Sequence, residues 1–334
     1  MSRKITHEDF KKIVDELNYV KRPRYPSVAD MPIEDASPFI DQPIWDVPKE
    51  FAIKVAPVGA YITKEMNPNQ PYRVEEIRDQ IDKSVENGAC ACHIHVRGPH
   101  GERSLDPGLY HQVIDPLLEK YGDNLFIDGC PEGGKDFAAS MTPLWEFRDV
   151  FETAPITCTA SWWGNRARIS GNEYVKACAT VMNKLGIKQE IAVHDHGDIS
   201  NAKRWLIDTG LVEKPYYFRI CMGNPGMASI DTPQALIETT LDCVHRIMEI
   251  DIGSKIMLSM SGRSSLFGIA LGAIIGPPII GARVGMEDAI YMYPHKAELI
   301  HDTPAVVKQI VKFLEGIGRK AASAHAYRKF LGLI

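Results

Sequence analysis

No stretch of this 334-residue sequence concentrates lysine or arginine, and 38 basic against 43 acidic side chains leave a formal charge of only −5. The electrostatic footprint of a nucleic-acid binder is missing. Long hydrophobic runs are equally scarce. The most apolar stretch, 266–282, is interrupted by Gly268, Gly272, Gly276, Pro277 and Pro278 and falls short of the roughly 20 apolar residues that cross a bilayer. The opening residues, Met1-Ser2-Arg3-Lys4-Ile5-Thr6-His7, hold no apolar signal core. No CxxC pair suggests a zinc ribbon. Six of the seven cysteines (Cys90, Cys92, Cys158, Cys178, Cys221 and Cys243) lie inside apolar stretches, as thiols buried in a reducing compartment do. These absences predict a cytoplasmic protein whose partners are neither nucleic acid nor membrane.

What is present is an ordinary globular composition, 45% hydrophobic and 24% charged, with a length about twice that of a typical domain. Short β-rich runs at 51–58, 89–96, 124–129, 156–160, 190–194, 216–222, 255–260 and 279–284 alternate with helical patterns. The helices are predicted at 74–87, 108–120, 141–152, 171–185, 199–209, 232–249, 264–275 and 303–316, with a last segment near 318–331. Asp231-Thr232-Pro233 and Asp302-Thr303-Pro304 each place an aspartate to cap a helix with proline in its first turn. Eight strands alternating with eight helices predict a (β/α)8 TIM barrel over 51–334. An open doubly wound sheet would carry a glycine-rich turn after its first strand, and Gly59-Ala60-Tyr61-Ile62-Thr63 contains no GxGxxG. Residues 1–50, rich in proline and aromatics, read as an N-terminal extension that packs on the barrel or across an oligomer interface.

The sharpest local feature is Cys90-Ala91-Cys92-His93-Ile94-His95-Val96-Arg97, closing the second strand. Side chains alternate along a strand, so His93 and His95 share one face while Cys90, Cys92 and Ile94 share the other. Two imidazoles at the C-terminal mouth of a barrel suit zinc or a similar ion, or else form a hydrogen-bonded pair or an anion clamp. Arg283-Val284-Gly285-Met286-Glu287-Asp288 closes the eighth strand. There Glu287 could complete a three-ligand metal site, or Arg283 and Asp288 could simply pair before the next helix. In His194-Asp195-His196-Gly197-Asp198 the two histidines read either as a second metal pair or as lining oriented by Asp195. Gly129-Cys130-Pro131-Glu132-Gly133-Gly134 and Gly223-Asn224-Pro225-Gly226-Met227 are loops whose backbone amides can hold anionic oxygens, or simply turns.

From Phe51 to the last strand the sequence resembles the β-keto acid cleavage enzymes, of which 3-keto-5-aminohexanoate cleavage enzyme is the type. The resemblance rests on His93-Ile94-His95-Val96-Arg97 followed by Gly101, Ser104 and Asp106, on Gly223-Asn224-Pro225-Gly226-Met227, and on the run 283–288. It implies a zinc-dependent barrel, usually a homotetramer, that converts a β-keto acid and acetyl-CoA into acetoacetate and a new acyl-CoA. It also implies His93, His95 and Glu287 as metal ligands, Asp288 as general base and Arg283 as its partner. Tyr61, Arg97, Cys130, Thr157, Asp195, Gly223 and Gly226 then fall on the substrate side. Tyr61 stands where the type enzyme has a glutamate that binds an amino group, Cys130-Pro131-Glu132 replaces Ser-Thr-Gly, and Ala192 replaces a glutamate. These departures imply the same reaction class with a different acyl group. Two other readings remain: a barrel metallohydrolase in which His194 or His196 joins the site, and a metal-binding barrel without turnover.

Overall fold

The computed structural model describes residues 5–20, 42–131, 133–163, 165–224, 227 and 230–334. The chain divides into two units, Met1–Asp46 and Val47–Ile334. In the first, helix His7–Glu16 opens on a capping box in which Thr6 and Asp9 satisfy each other's backbone amides. Residues 21–41 of the leader, and with them much of its expected packing surface, lie outside the described residues.

The second unit is a closed parallel barrel of β1 (Glu50–Val55), β2 (Ala91–His93), β3 (Phe126–Asp128), β4 (Thr153–Thr157), β5 (Lys188–Val193), β6 (Tyr217–Met222), β7 (Lys255–Met260) and β8 (Ile279–Val284). Neighbours in sequence pair in parallel, and β8 closes the ring on β1 with Lys54 opposite Arg283. A helix follows each strand, as the alternation predicts. Strand alternation separates two environments. Phe51, Ile53 and Val55 of β1 and Phe218, Ile220 and Met222 of β6 join the apolar layer under the helices. Ala52 and Tyr217 belong instead to a smaller cluster with Ala91, Phe126 and Met257, all near the starts of their strands. Tyr327 of the terminal helix Ala324–Leu331 is fully buried in that cluster, its ring centroid 4.7 Å from that of Phe126. The end of the chain thereby stoppers the N-terminal mouth, and the short strand Lys320–Ala321 extends the sheet beside the start of β1.

Several boundaries differ from the sequence expectation. The second strand ends at His93, because Val96–Arg97 leaves the barrel to form a small antiparallel hairpin with Arg103–Ser104. A second hairpin, Ala160–Trp163 with Arg166–Ile169, grows from the loop after β4, where the sequence suggests only a strand end. The third barrel helix is Phe137–Glu146 rather than 141–152: Asp136 caps it by accepting from the Ala139 amide at 2.8 Å. Asp302 caps Thr303–Gly316 as expected, but Thr232 rather than Asp231 caps Pro233–Ile250, since that helix begins one residue further from its aspartate. Among the described residues no helix is long and apolar enough to cross a membrane.

Above the stoppered end, the barrel interior is charged. Lys54 is wholly buried, with its Nζ 3.0 Å from Asp128 Oδ2, 3.4 Å from the Tyr217 hydroxyl and in close contact with Glu190. Arg219 Nε donates to the other Glu190 oxygen. Burial alone would raise the Glu190 carboxyl, but Lys54 and Arg219 hold it well below the ordinary carboxylate range. Four inward side chains from four strands thus neutralise one another where most barrels stack aliphatic groups. Replacing one member strands its partners. Lys54→Met should lower unfolding stability by roughly 3–5 kcal/mol, because it leaves two buried carboxylates without their shared cation. Equilibrium denaturation checks this, and a loss under 1 kcal/mol would mean that Lys54 does not hold the layer together.

Candidate active site

A cavity of about 690 Å³ opens at the C-terminal mouth, lined by the ends of strands and the loops that follow them. On its floor the His93 and His95 rings meet edge to face, with Nε2 to Nε2 at 3.2 Å. The shared face that alternation assigns to them is therefore the inner one. Both rings are buried. The Nδ1 of His93 lies 2.6 Å from Asp128 Oδ2, the same oxygen that faces Lys54. In the neutral ring this contact selects the tautomer with hydrogen on Nδ1, so that Nε2 presents its lone pair to the cavity once its own proton is displaced.

Glu287 reaches the same point from the loop after β8. Its amide donates to the Ala56 carbonyl at 3.0 Å, lacing this loop to the end of β1. Gly285 makes the turn with φ +136°, and a Cβ there would stand 2.2 Å from the Ala56 carbonyl oxygen. Gly59 leaves the room that the Glu287 side chain fills, since its Cβ would fall 2.2 Å from Glu287 Cγ. The carboxylate ends 3.6 Å from His95 Nε2 and 3.8 Å from His93 Nε2. Cys130, just beyond β3, brings its Sγ within 4.8 Å of both imidazoles. Beside this group Asp288 is buried, accepting from an Arg283 guanidinium nitrogen at 2.5 Å and from Ser259 Oγ at 3.2 Å. Arg283 also faces Glu287 at 3.2 Å.

These donors fit a divalent first-row ion. Two imidazoles on one tetrahedral zinc, with bonds of about 2.05 Å, stand about 3.3 Å apart, close to the observed spacing. Among the described residues Glu287 Oε2 is buried without a hydrogen-bond partner, as befits an oxygen left for an ion. His93, His95 and Glu287 would hold such an ion, and Cys130 is close enough to join them. The protein's own charges already anticipate a cation. Burial works against a charged His93, yet Glu287, Asp128 and Cys130 together lift its pKa to about 9. Burial would raise the Glu287 carboxyl, but Arg283, His95 and His93 keep it well below the ordinary range. The Cys130 thiol is likewise drawn down against burial by His95, His93 and Arg103.

The remaining residues singled out in the sequence fall into three groups. Tyr61, Thr157 and Gly223 line the cavity, as does Cys130. Arg97 and Asp195 take structural positions: Arg97 donates to the Gly101 and Ile62 carbonyls at 2.7 and 3.1 Å, and Asp195 caps helix His196–Ala202 through the Gly197 and Asp198 amides. Gly226 lies outside the described residues. His194 and His196 are not brought together. His194 is buried against Asp198 at 2.8 Å and lines the cavity, whereas His196 is 68% exposed and faces Asp242. Residues that the motifs did not reveal complete the walls: among the described residues Arg103, Arg166, Arg168 and Arg219 join Arg283 there, with Glu287 and Asp288 as the carboxylates. A signal for Arg219 was present, since a charge inside an apolar strand must face the barrel interior.

Glu287, Asp128 and Cys130 favour a protonated His93 when no ion is bound, and an incoming ion must displace that proton. The sign follows from the raised pKa. Metal affinity should climb as pH rises from about 6.5 toward about 9 and level off above it. Chelator competition across that range reads the slope, and a flat profile would mean that His93 gives up no proton. Asp128→Asn should weaken metal binding by roughly 10–100-fold, because it loosens the His93 ring and its tautomer. The same competition assay at fixed pH checks it.

A 3-keto-5-aminohexanoate cleavage enzyme of Fusobacterium nucleatum is 28% identical over 289 residues, covering 85% of this chain and 98% of that protein. A 3-dehydrocarnitine:acetyl-CoA trimethylamine transferase of Rhizobium meliloti is 25% identical over 311 residues, covering 85% and 97%. The solved structure of ObcA in a binary complex with oxaloacetate superposes with a TM-score of 0.67 at 17% identity, over 79% of this chain and 67% of that one, and supports the barrel fold. The sequence profile of the beta-keto acid cleavage enzymes matches residues 50–333, and the chain belongs to that family.

Proposed function

We propose that this protein is a zinc-dependent acyltransferase that takes a β-keto acid and acetyl-CoA to acetoacetate and a new acyl-CoA. The observation that carries the reading is the convergence of His93, His95 and Glu287 on one point of the cavity, with the Asp288 carboxylate beside it. An ion held there would supply Lewis acidity, drawing electron density from the keto and carboxylate oxygens of the substrate. Asp288 takes the proton from C2 of the β-keto acid. Ser259 and Arg283 orient its two oxygens. The carbanion at C2 attacks the thioester carbonyl of acetyl-CoA and expels the CoA thiolate. That thiolate attacks the original keto carbon, the bond from that carbon to C2 breaks, and the proton on Asp288 returns to C2. Acetoacetate and the new acyl-CoA leave, with no oxidant or reductant consumed.

Arginine side chains among the cavity's described lining residues support an anionic acid and a phosphate-bearing co-substrate, because guanidinium groups recognise carboxylate and phosphate oxygens. Tyr61 lines the cavity half exposed and offers no carboxylate to an amino group. The acyl group is therefore read as neutral or acidic rather than cationic.

A panel of β-keto acids incubated with and without acetyl-CoA tests the proposal. Acetoacetate should form only when acetyl-CoA is present, with the new acyl-CoA in equal amount. Asp288→Asn should lower kcat by about 10²–10⁴ while leaving metal content unchanged. Consumption of the keto acid without CoA would replace this reading with a hydrolase.

A further inference from the structure

Open catalytic zinc sites commonly have three protein ligands and leave a position for substrate or water. Here the two imidazoles are approached by two further donors, Glu287 at 3.6 and 3.8 Å and the Cys130 thiol. The Sγ of Cys130 lies within 4.8 Å of the two imidazole nitrogens, and Cys130 is buried on the cavity wall with them. It arrives from a different strand than the histidines, so one ion can collect all three without crossing the pleat of β2. Its loop is built to hold it there. Gly129 ahead of it leaves room for the Phe151 ring, which stands 2.4 Å from where a Cβ would sit. Gly133 beyond it, at φ +101°, admits the Arg103 guanidinium into space a Cβ would occupy at 2.5 Å. Arg103 in turn donates to Cys130 Sγ at 3.5 Å, giving a thiolate a counter-charge on its far side.

We propose that Cys130 is a fourth protein ligand, so that the resting site is a closed His93, His95, Glu287 and Cys130 set rather than an open three-ligand one. The inference rests on the metal-site reading above and adds the thiolate to it. Two negative charges, one on the Cys130 thiolate and one on the Glu287 carboxylate, would then neutralise a divalent ion in full. Sulfur also biases the site toward zinc or cobalt and away from magnesium or manganese, which favour oxygen. A substrate oxygen entering the site would compete with Cys130 for the same position.

Cobalt substitution separates the two levels of the argument. The cobalt-loaded wild-type protein should show visible bands of a four-coordinate ion together with a near-ultraviolet sulfur-to-cobalt charge-transfer band. Cys130→Ser should lose the charge-transfer band and keep the visible ones. Cys221→Ser, which alters the other cavity thiol, should keep both. X-ray absorption at the zinc edge of the unaltered protein should show one sulfur at about 2.3 Å beside a nitrogen and oxygen shell, a readout that needs no variant to fold. Bound metal with only nitrogen and oxygen neighbours, or a charge-transfer band that survives Cys130→Ser, would overturn the role of Cys130 and leave the three-ligand site standing. Failure of the wild-type protein to bind cobalt or zinc would overturn both.

Discussion

Asp128 is the point on which the barrel interior and the active site both depend. One of its oxygens faces both the Lys54 ammonium and His93 Nδ1, and the other accepts from the Thr153 hydroxyl. A fully buried carboxylate survives only when every lone pair is engaged, and here each partner comes from a different strand. The consequence runs in both directions. Toward the closed end, Lys54 passes the charge to Glu190, which Arg219 and the Tyr217 hydroxyl also contact. Toward the open end, the same carboxylate fixes the ring of His93 with its Nε2 toward the cavity.

That chain of contacts explains why an interior this polar can be stable. An ion pair taken out of water is no bargain by itself, and removal of one member usually costs more than the pair contributes. In this barrel no member stands alone. Tyr327 reaches up from the terminal helix to the Tyr217 hydroxyl at 2.6 Å, so even the apolar stopper is tied to the charged layer. Of the candidate ligand residues only His93 lies on a barrel strand, and His95, Cys130 and Glu287 sit just past strand ends. Glu287 and Cys130 are flanked by glycines that leave space for a neighbouring side chain.

Much of this was legible in the sequence. Eight apolar runs alternating with helical patterns point to a parallel α/β fold, and the lack of a glycine-rich turn after the first strand favours the barrel over an open doubly wound sheet. Two histidines spaced by one residue must share a face, and Glu287 with Asp288 at the end of the last strand could be placed at the same mouth by topology alone. The strand ends were harder. The residues after His93 continue to read as β-rich because Val96 and Arg97 are in a strand, but one that pairs with Arg103–Ser104 outside the barrel. Arg97 and Asp195 stand next to histidines in the sequence, and the structure gives Arg97 carbonyl partners at Gly101 and Ile62 and makes Asp195 a helix cap.

The sequence by itself determined the periodicities, and through them the fold class, the direction in which His93 and His95 point, and the chemical character of the residues at each strand end. Periodicity is a local property and survives without knowledge of the partner strand. Only the tertiary structure decided which distant residues share a point in space: that Lys54, Asp128, Glu190 and Arg219 meet inside the barrel, that His194 turns inward while His196 faces solvent, and that Cys130 stands with the imidazoles. Those juxtapositions depend on the register of pairing around a closed ring. A shift of one residue on any strand would reverse its inward and outward faces, and no single strand carries that information alone.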